Sequence, residues 1–191
     1  MKKTKRVAIV HGSYGTPEEN WFPWLASELR KDGLNVVVPK FPTPDGQTFA
    51  NWQTVFRTEV GPIHSDMVLV GHSAGPGFIL KMLQLADAPA CASFFVSGFV
   101  GPLGLDDFDP INNALFGGTF DWERIRKNAG QVRVYNSDND PYVPLSKGTE
   151  LAQNLGVALT VIKNGGHINA RAGFTTFPQL LADIRAVLSK S

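Results

Sequence analysis

A serine lies in the run Gly71-His72-Ser73-Ala74-Gly75, where its hydroxyl can be made nucleophilic. Residues 67–70 before it are apolar and strand-like. Residues 75–86 after it carry Phe78, Ile79, Met82, Leu83 and Leu85 at helical spacing. A G-x-S-x-G run between a strand and a helix puts the serine on a tight, strained turn, so that its hydroxyl projects from the top of a sheet. Glycines at 71 and 75 omit side chains that would strike the adjoining strand and helix. The helix begins beside the nucleophile, so its free N–H groups and positive dipole end face the reacting centre. The backbone N–H of Ala74 is therefore a candidate oxyanion donor.

A serine hydroxyl needs a base to take its proton. Four histidines are available: His11, His64, His72 and His167. His72 adjoins Ser73, and its side chain should point away. His64 precedes the strand and falls at the wrong end of a parallel sheet. His11 ends the first strand and stands near the site. His167 follows Asn164-Gly165-Gly166, after the last strand and before the last helix, in a loop with room for a ring. It is the expected base. The base needs a carboxylate to fix its tautomer. The fifth strand leads into Asp138-Asn139-Asp140-Pro141, and either aspartate could serve. Asp140 is preferred because it stands away from the strand end. Asp138 is expected to hydrogen-bond the backbone of its own turn. The loop His11-Gly12-Ser13-Tyr14-Gly15 should give the second oxyanion donor, first Ser13 and then Tyr14, unless it is simply a glycine-rich turn.

These residues require a scaffold that gathers the ends of several strands. Strand-like runs at 6–10, 35–38, 67–70, 92–96, 132–136 and 158–162 alternate with helical segments at 17–31, 48–60, 75–86, 121–128, 146–154 and 178–188. Most of the strand runs are continuously apolar, as in a parallel sheet covered on both faces. Functional loops then lie at the carboxyl ends of the strands. The stretch 97–120 is long for a connection and carries Phe99, Leu103, Leu105, Phe108 and Phe116 among five glycines. It is expected to act as a short apolar lid, the alternative being a loop packed on the core. Tyr14, Phe99, Phe108 and Phe116 are the candidate pocket residues.

The bulk numbers exclude several classes. The chain has 191 residues, 43% hydrophobic and 18% charged, with a formal net charge of +1. That suits one globular α/β domain spanning 1–191 and gives no basic field for nucleic acid or membrane binding. The basic opening of residues 1–6 reads as a solvated tail. Its following apolar run is too short for a signal or a membrane span, so a cytoplasmic protein is expected. Cys91 is the single cysteine, which leaves no disulfide and no cysteine-based metal cluster; it reads as a small core residue. The chain has no H-E-x-x-H and no G-x-G-x-x-G after the first strand, so neither a metal nor a dinucleotide cofactor is expected.

Taken in order, several features resemble the retinoblastoma-binding protein 9 family of small serine hydrolases. They are His11-Gly12, Trp21 and Trp24, Gly71 to Gly75, Asp140-Pro141-Tyr142-Val143-Pro144, and Gly166-His167. The resemblance covers essentially the whole chain. It implies a minimal α/β-hydrolase fold, a three-layer αβα sandwich around a six-stranded, mainly parallel sheet. It also implies a Ser73, Asp140, His167 triad acting on small esters or amides. The Leu-x-Cys-x-Glu motif for retinoblastoma protein is absent, so that partner is not implied. A non-catalytic binding module on the same scaffold is the alternative of a different class.

Overall fold

The computed structural model describes residues 5–189; the first four residues of the basic opening lie outside them. Six strands form one sheet: β1 (Arg6–Val10), β2 (Asn35–Val37), β3 (Met67–His72), β4 (Ala92–Val96), β5 (Gln131–Ser137) and β6 (Leu159–Ile162). Their order is β2-β1-β3-β4-β5-β6, and every pairing is parallel. Parallel neighbours need crossovers, supplied by α1 (Phe22–Lys31), α2 (Phe49–Glu59), α3 (Gly75–Leu85), α4 (Asp109–Phe116), α5 (Trp122–Asn128) and α6 (Leu145–Leu155), and α7 (Pro178–Leu188) follows β6.

Alternation along the strands divides the core in two. Val7, Ile9, Val68, Val70, Phe94 and Tyr135 face one layer, where α1 and α7 lay Leu25, Leu29, Leu180 and Ile184. Ala8, Val10, Leu69, Phe95 and Val134 face the other, where α2 to α6 supply Trp52, Phe56, Phe78, Leu115, Ile125 and Leu151. This is the αβα sandwich the alternating pattern predicts. No helix among the described residues is long and apolar enough to cross a membrane.

Two elements depart from the sequence reading. The first helix starts at Phe22 rather than at 17, because residues 17–21 form turns and Asn20 takes φ 56°. Trp21 is therefore its N-cap, fully buried. The stretch 97–120 is not all loop, since it contains α4. Glycine and proline around it mask an eight-residue helix that starts on Asp109, with Pro110 in its first turn, and ends before Gly117.

Candidate active site

Strand β3 runs directly into the turn at Ser73, which is held at φ 59°. A non-glycine residue in this left-handed region carries strain of about 1–3 kcal/mol. The surroundings enforce it. A Cβ on Gly75 would stand 2.5 Å from the Val10 carbonyl oxygen, and one on Gly71 would stand 2.8 Å from the Pro76 nitrogen. The Ser73 N–H is tied to the Val96 carbonyl at 2.9 Å. Helix α3 opens on Ala74, which has no side-chain cap, so the N–H groups of its first turn stay available. Gly12 lies against this corner. A Cβ there would fall 2.6 Å from Ser73 Cβ and 3.2 Å from the Ala74 nitrogen. Only glycine lets the β1 loop approach this closely.

Ser73 and His167 line the same cavity of about 640 Å³. His167 Nδ1 donates to Asp140 Oδ2 at 2.8 Å, which leaves Nε2 as the ring nitrogen able to accept a proton. Asp140 Oδ1 accepts the N–H groups of Tyr142 and Val143 at 2.9 and 3.0 Å. Burial pushes the Asp140 carboxyl pKa up. The hydrogen bond and charge of His167, with those two amides, outweigh it and hold the group below its ordinary value. In this resting geometry Ser73 Oγ faces the cavity without a hydrogen bond to the imidazole. Such bonds often tighten only once substrate is bound.

The loop carrying His167 is anchored by the whole run before Asp140. Asp138 Oδ1 accepts the Asn164 N–H at 2.7 Å, Ser137 Oγ accepts the Gly165 N–H at 2.9 Å, and Asn139 Oδ1 accepts the Gly166 N–H at 2.8 Å. The sequence reading had Asp138 bonding its own turn. It bonds the neighbouring loop instead, because β5 and β6 pair and bring the two loops side by side. Ile168 is held at φ 47°, an unusual conformation for a β-branched residue. Its N–H is bonded to the Gly165 carbonyl and its own carbonyl to Trp21 Nε1–H at 3.0 Å.

The other histidines have separate places. His11 is buried, donates from Nδ1 to the Gly12 carbonyl and accepts the Phe41 N–H on Nε2, so neither nitrogen is free to act as a base. His64 is exposed. His72 turns under the site and donates from Nε2 to the His167 carbonyl at 2.9 Å, beside Ser97 Oγ–H, which donates to the same oxygen at 3.2 Å. This support was missed in the sequence, where nothing marks a histidine as a backbone brace.

Burial, and then the neighbouring His167, lower the His72 pKa to about 3. An unfolded imidazole titrates near ~6.5. As pH falls below that value the unfolded chain takes up a proton that the folded site refuses, so His72 costs stability between about 6.5 and 3. From pH 7 to pH 5 this one group should remove about 2 kcal/mol. His72→Gln keeps a donor but not the titration, so its urea-unfolding free energy should fall by correspondingly less over that interval. Equal acid losses in the two proteins would refute a neutral, buried His72.

The loop after β1 contains the expected second donor. Among the described residues the Ser13 N–H has no hydrogen-bond partner, whereas the Tyr14 N–H is occupied by Thr43 Oγ1 at 2.8 Å. This favours Ser13 over Tyr14 as an oxyanion donor. Tyr14, Phe99, Leu103, Leu105 and Phe108 line the cavity, as do Tyr142 and Val143. Phe116 does not. It is buried behind the wall against Phe99, with its ring filling the space that the missing Gly77 side chain leaves. Tyr142 meets the His167 ring edge-on at 5.1 Å. Its signal in the sequence was only its place after Asp140-Pro141. Among the described residues no group of three or more His, Cys, Asp or Glu is arranged to hold a metal ion.

Comparison with known proteins adds to this geometry. The serine hydrolase family model matches residues 7–186. YdeN of Bacillus subtilis is 31% identical over 193 residues, covering 98% of each chain. Its crystal structure superposes with a TM-score of 0.88 at 29% identity, over 97% of this chain and 100% of that one. Serine hydrolase RBBP9 of Rattus norvegicus is 24% identical over 194 residues, covering 99% of this chain and 98% of its own. The esterase RhEst1 of Rhodococcus sp. ECU1013 shares the fold, with a TM-score of 0.71 at 14% identity over 97% and 90% of the two chains.

Proposed function

The chain belongs to the serine hydrolase family, and from that premise we propose that it cleaves small carboxylic esters through an acyl-enzyme on Ser73. The observation that carries this reading is the Asp140–His167 hydrogen bond at 2.8 Å, beside a strained Ser73 in the same cavity. Ser73 Oγ attacks the ester carbonyl carbon while His167 Nε2 takes its proton. Asp140 holds the ring in the Nδ1–H tautomer and stabilises the imidazolium. The carbonyl oxygen, now an anion, is met by the N–H groups of Ala74 and Ser13. The C–O bond breaks, and His167 returns its proton to the departing alkoxide. Water then attacks the acyl-enzyme, giving its proton to His167. The tetrahedral intermediate collapses, and Ser73 leaves with that proton, freeing the acid.

The substrate reading follows from the cavity. About 640 Å³ is room for a small molecule. Leu103, Leu105, Phe108 and Val143 favour an uncharged acyl group. Amides and thioesters could use the same machinery, and esters rank first because their leaving groups depart more readily.

Incubation with a fluorophosphonate probe followed by peptide mass spectrometry tests the reading. The expected result is one stoichiometric adduct on the peptide containing Ser73, with loss of ester hydrolysis in parallel. A folded protein that gives no adduct there would refute it.

A further inference from the structure

Beneath the loop after β1 runs a chain of hydrogen-bonded polar side chains. The Tyr14 N–H donates to Thr43 Oγ1, and Thr43 Oγ1–H donates to Gln47 Oε1 at 2.6 Å. The Gln47 oxygen is thereby used. Its Nε2 donates to Ser13 Oγ at 2.7 Å and to Asn112 Oδ1 at 3.4 Å. Ser13 Oγ–H donates to the same Asn112 oxygen at 2.8 Å. Asn112 thus presents its amide oxygen to both donors. The amide nitrogen Nδ2 is left without a partner among the described residues, and it is not one of the side-chain atoms sealed from solvent. Asn112 is only 3% exposed and forms part of the cavity wall, so the opening that remains to Nδ2 is into the cavity.

The other two asparagines of that wall also use their amide oxygens, but both are only half-buried. Asn20 Oδ1 accepts the Ala170 N–H, and Asn169 Oδ1 accepts the Ala172 N–H. Asn112 differs in standing buried on α4, in the same segment that gives the apolar surface of Leu103, Leu105 and Phe108. An apolar wall accepts hydrocarbon at many depths, whereas one fixed donor within it sets the register.

We propose that Asn112 Nδ2 is a specificity-determining donor that binds an acceptor oxygen, a ketone, ether or hydroxyl, carried by the acyl chain away from the scissile carbonyl. The proposal rests on Ser73 being the nucleophile. It assigns the donor to the acyl side because Asn112 is bonded to Ser13, whose N–H would hold the acyl oxygen. A plain alkyl chain would cover Nδ2 and leave it unsatisfied, which costs affinity. The preferred substrates are therefore esters of short, oxygen-bearing acids.

The test uses 4-nitrophenyl esters of equal chain length, either all-carbon or with an ether or ketone oxygen at successive positions. Each is assayed with the wild-type protein and with Asn112→Asp. The aspartate keeps an acceptor for Ser13 and Gln47 but has no N–H to offer. The wild type should favour one oxygen position over the all-carbon ester by about 5- to 10-fold in kcat/KM, measured against the same ratio in Asn112→Asp. The intrinsic effect of the oxygen on ester reactivity is common to both proteins and cancels. A substitution that slows every ester by one common factor overturns the recognition role. If the wild type hydrolyses none of the esters and takes no fluorophosphonate on Ser73, the reading beneath the proposal fails instead, and the proposal with it.

Discussion

Ser73→Ala should lower kcat/KM for an activated ester by at least ~10⁴-fold, with a thermal unfolding midpoint no lower than that of the wild type. The two expectations have different origins. The loss follows because the hydroxyl is the atom that forms the acyl bond; the oxyanion donors and the cavity alone leave only residual catalysis. The preserved stability follows from the surroundings of the residue. Among the described residues Ser73 Oγ has no hydrogen-bond partner to lose, and the Ser73 N–H bond to the Val96 carbonyl involves the backbone. Alanine keeps the Cβ that packs against Gly12 and takes the same φ of 59° at similar cost. Ser73→Gly should go further and raise stability by about 1 kcal/mol through relief of strain. Purified variants assayed with 4-nitrophenyl acetate and by calorimetry check both. Turnover within a few fold of the wild type would remove Ser73 from the reaction.

The site was partly legible in the sequence because its main signals are local. Gly71 to Gly75 sits between an apolar strand and an amphipathic helix, and the backbone follows that pattern. His167 and Asp140 could be narrowed down because parallel strands place their following loops at one edge. The brace formed by Ser137, Asp138 and Asn139 was not legible, since its partners are backbone amides some 26 to 28 residues away. Sequence spacing says nothing of such pairings until β5 and β6 are known to be neighbours. Helix α4 was missed for the opposite reason. Its flanking glycines and prolines gave a strong local signal for loop, which tertiary packing of Leu115 and Phe116 overrides. That omission hid Asn112, because only a helix in this place brings it against Ser13. Trp21 falls within the helical segment expected at 17–31. It is fully buried, and its indole N–H secures the strained Ile168 beside His167, a role that burial alone does not announce.

Asp140→Asn should reduce kcat by about 10³- to 10⁴-fold, and Asp138→Asn by less than about 10-fold. The contrast follows from what each carboxylate touches. At 140, two backbone N–H groups from Tyr142 and Val143 point at Oδ1 and require an oxygen there. An asparagine in this place must therefore turn its amide nitrogen to the position of Oδ2, next to His167 Nδ1. That nitrogen can only donate, so Nδ1 becomes an acceptor and the ring proton moves to Nε2. Nε2 is the atom that must receive the proton of Ser73, and in this tautomer it cannot. Little in the fold changes, while the base faces the nucleophile in the wrong form. At 138 the carboxylate accepts one N–H, that of Asn164, and an amide oxygen serves equally well. Steady-state kinetics on the two variants, with fluorophosphonate labelling rates as a second readout of nucleophile activation, separate them. A large loss at 138 with little at 140 would transfer the orienting role to Asp138 and require the loop to rearrange during turnover.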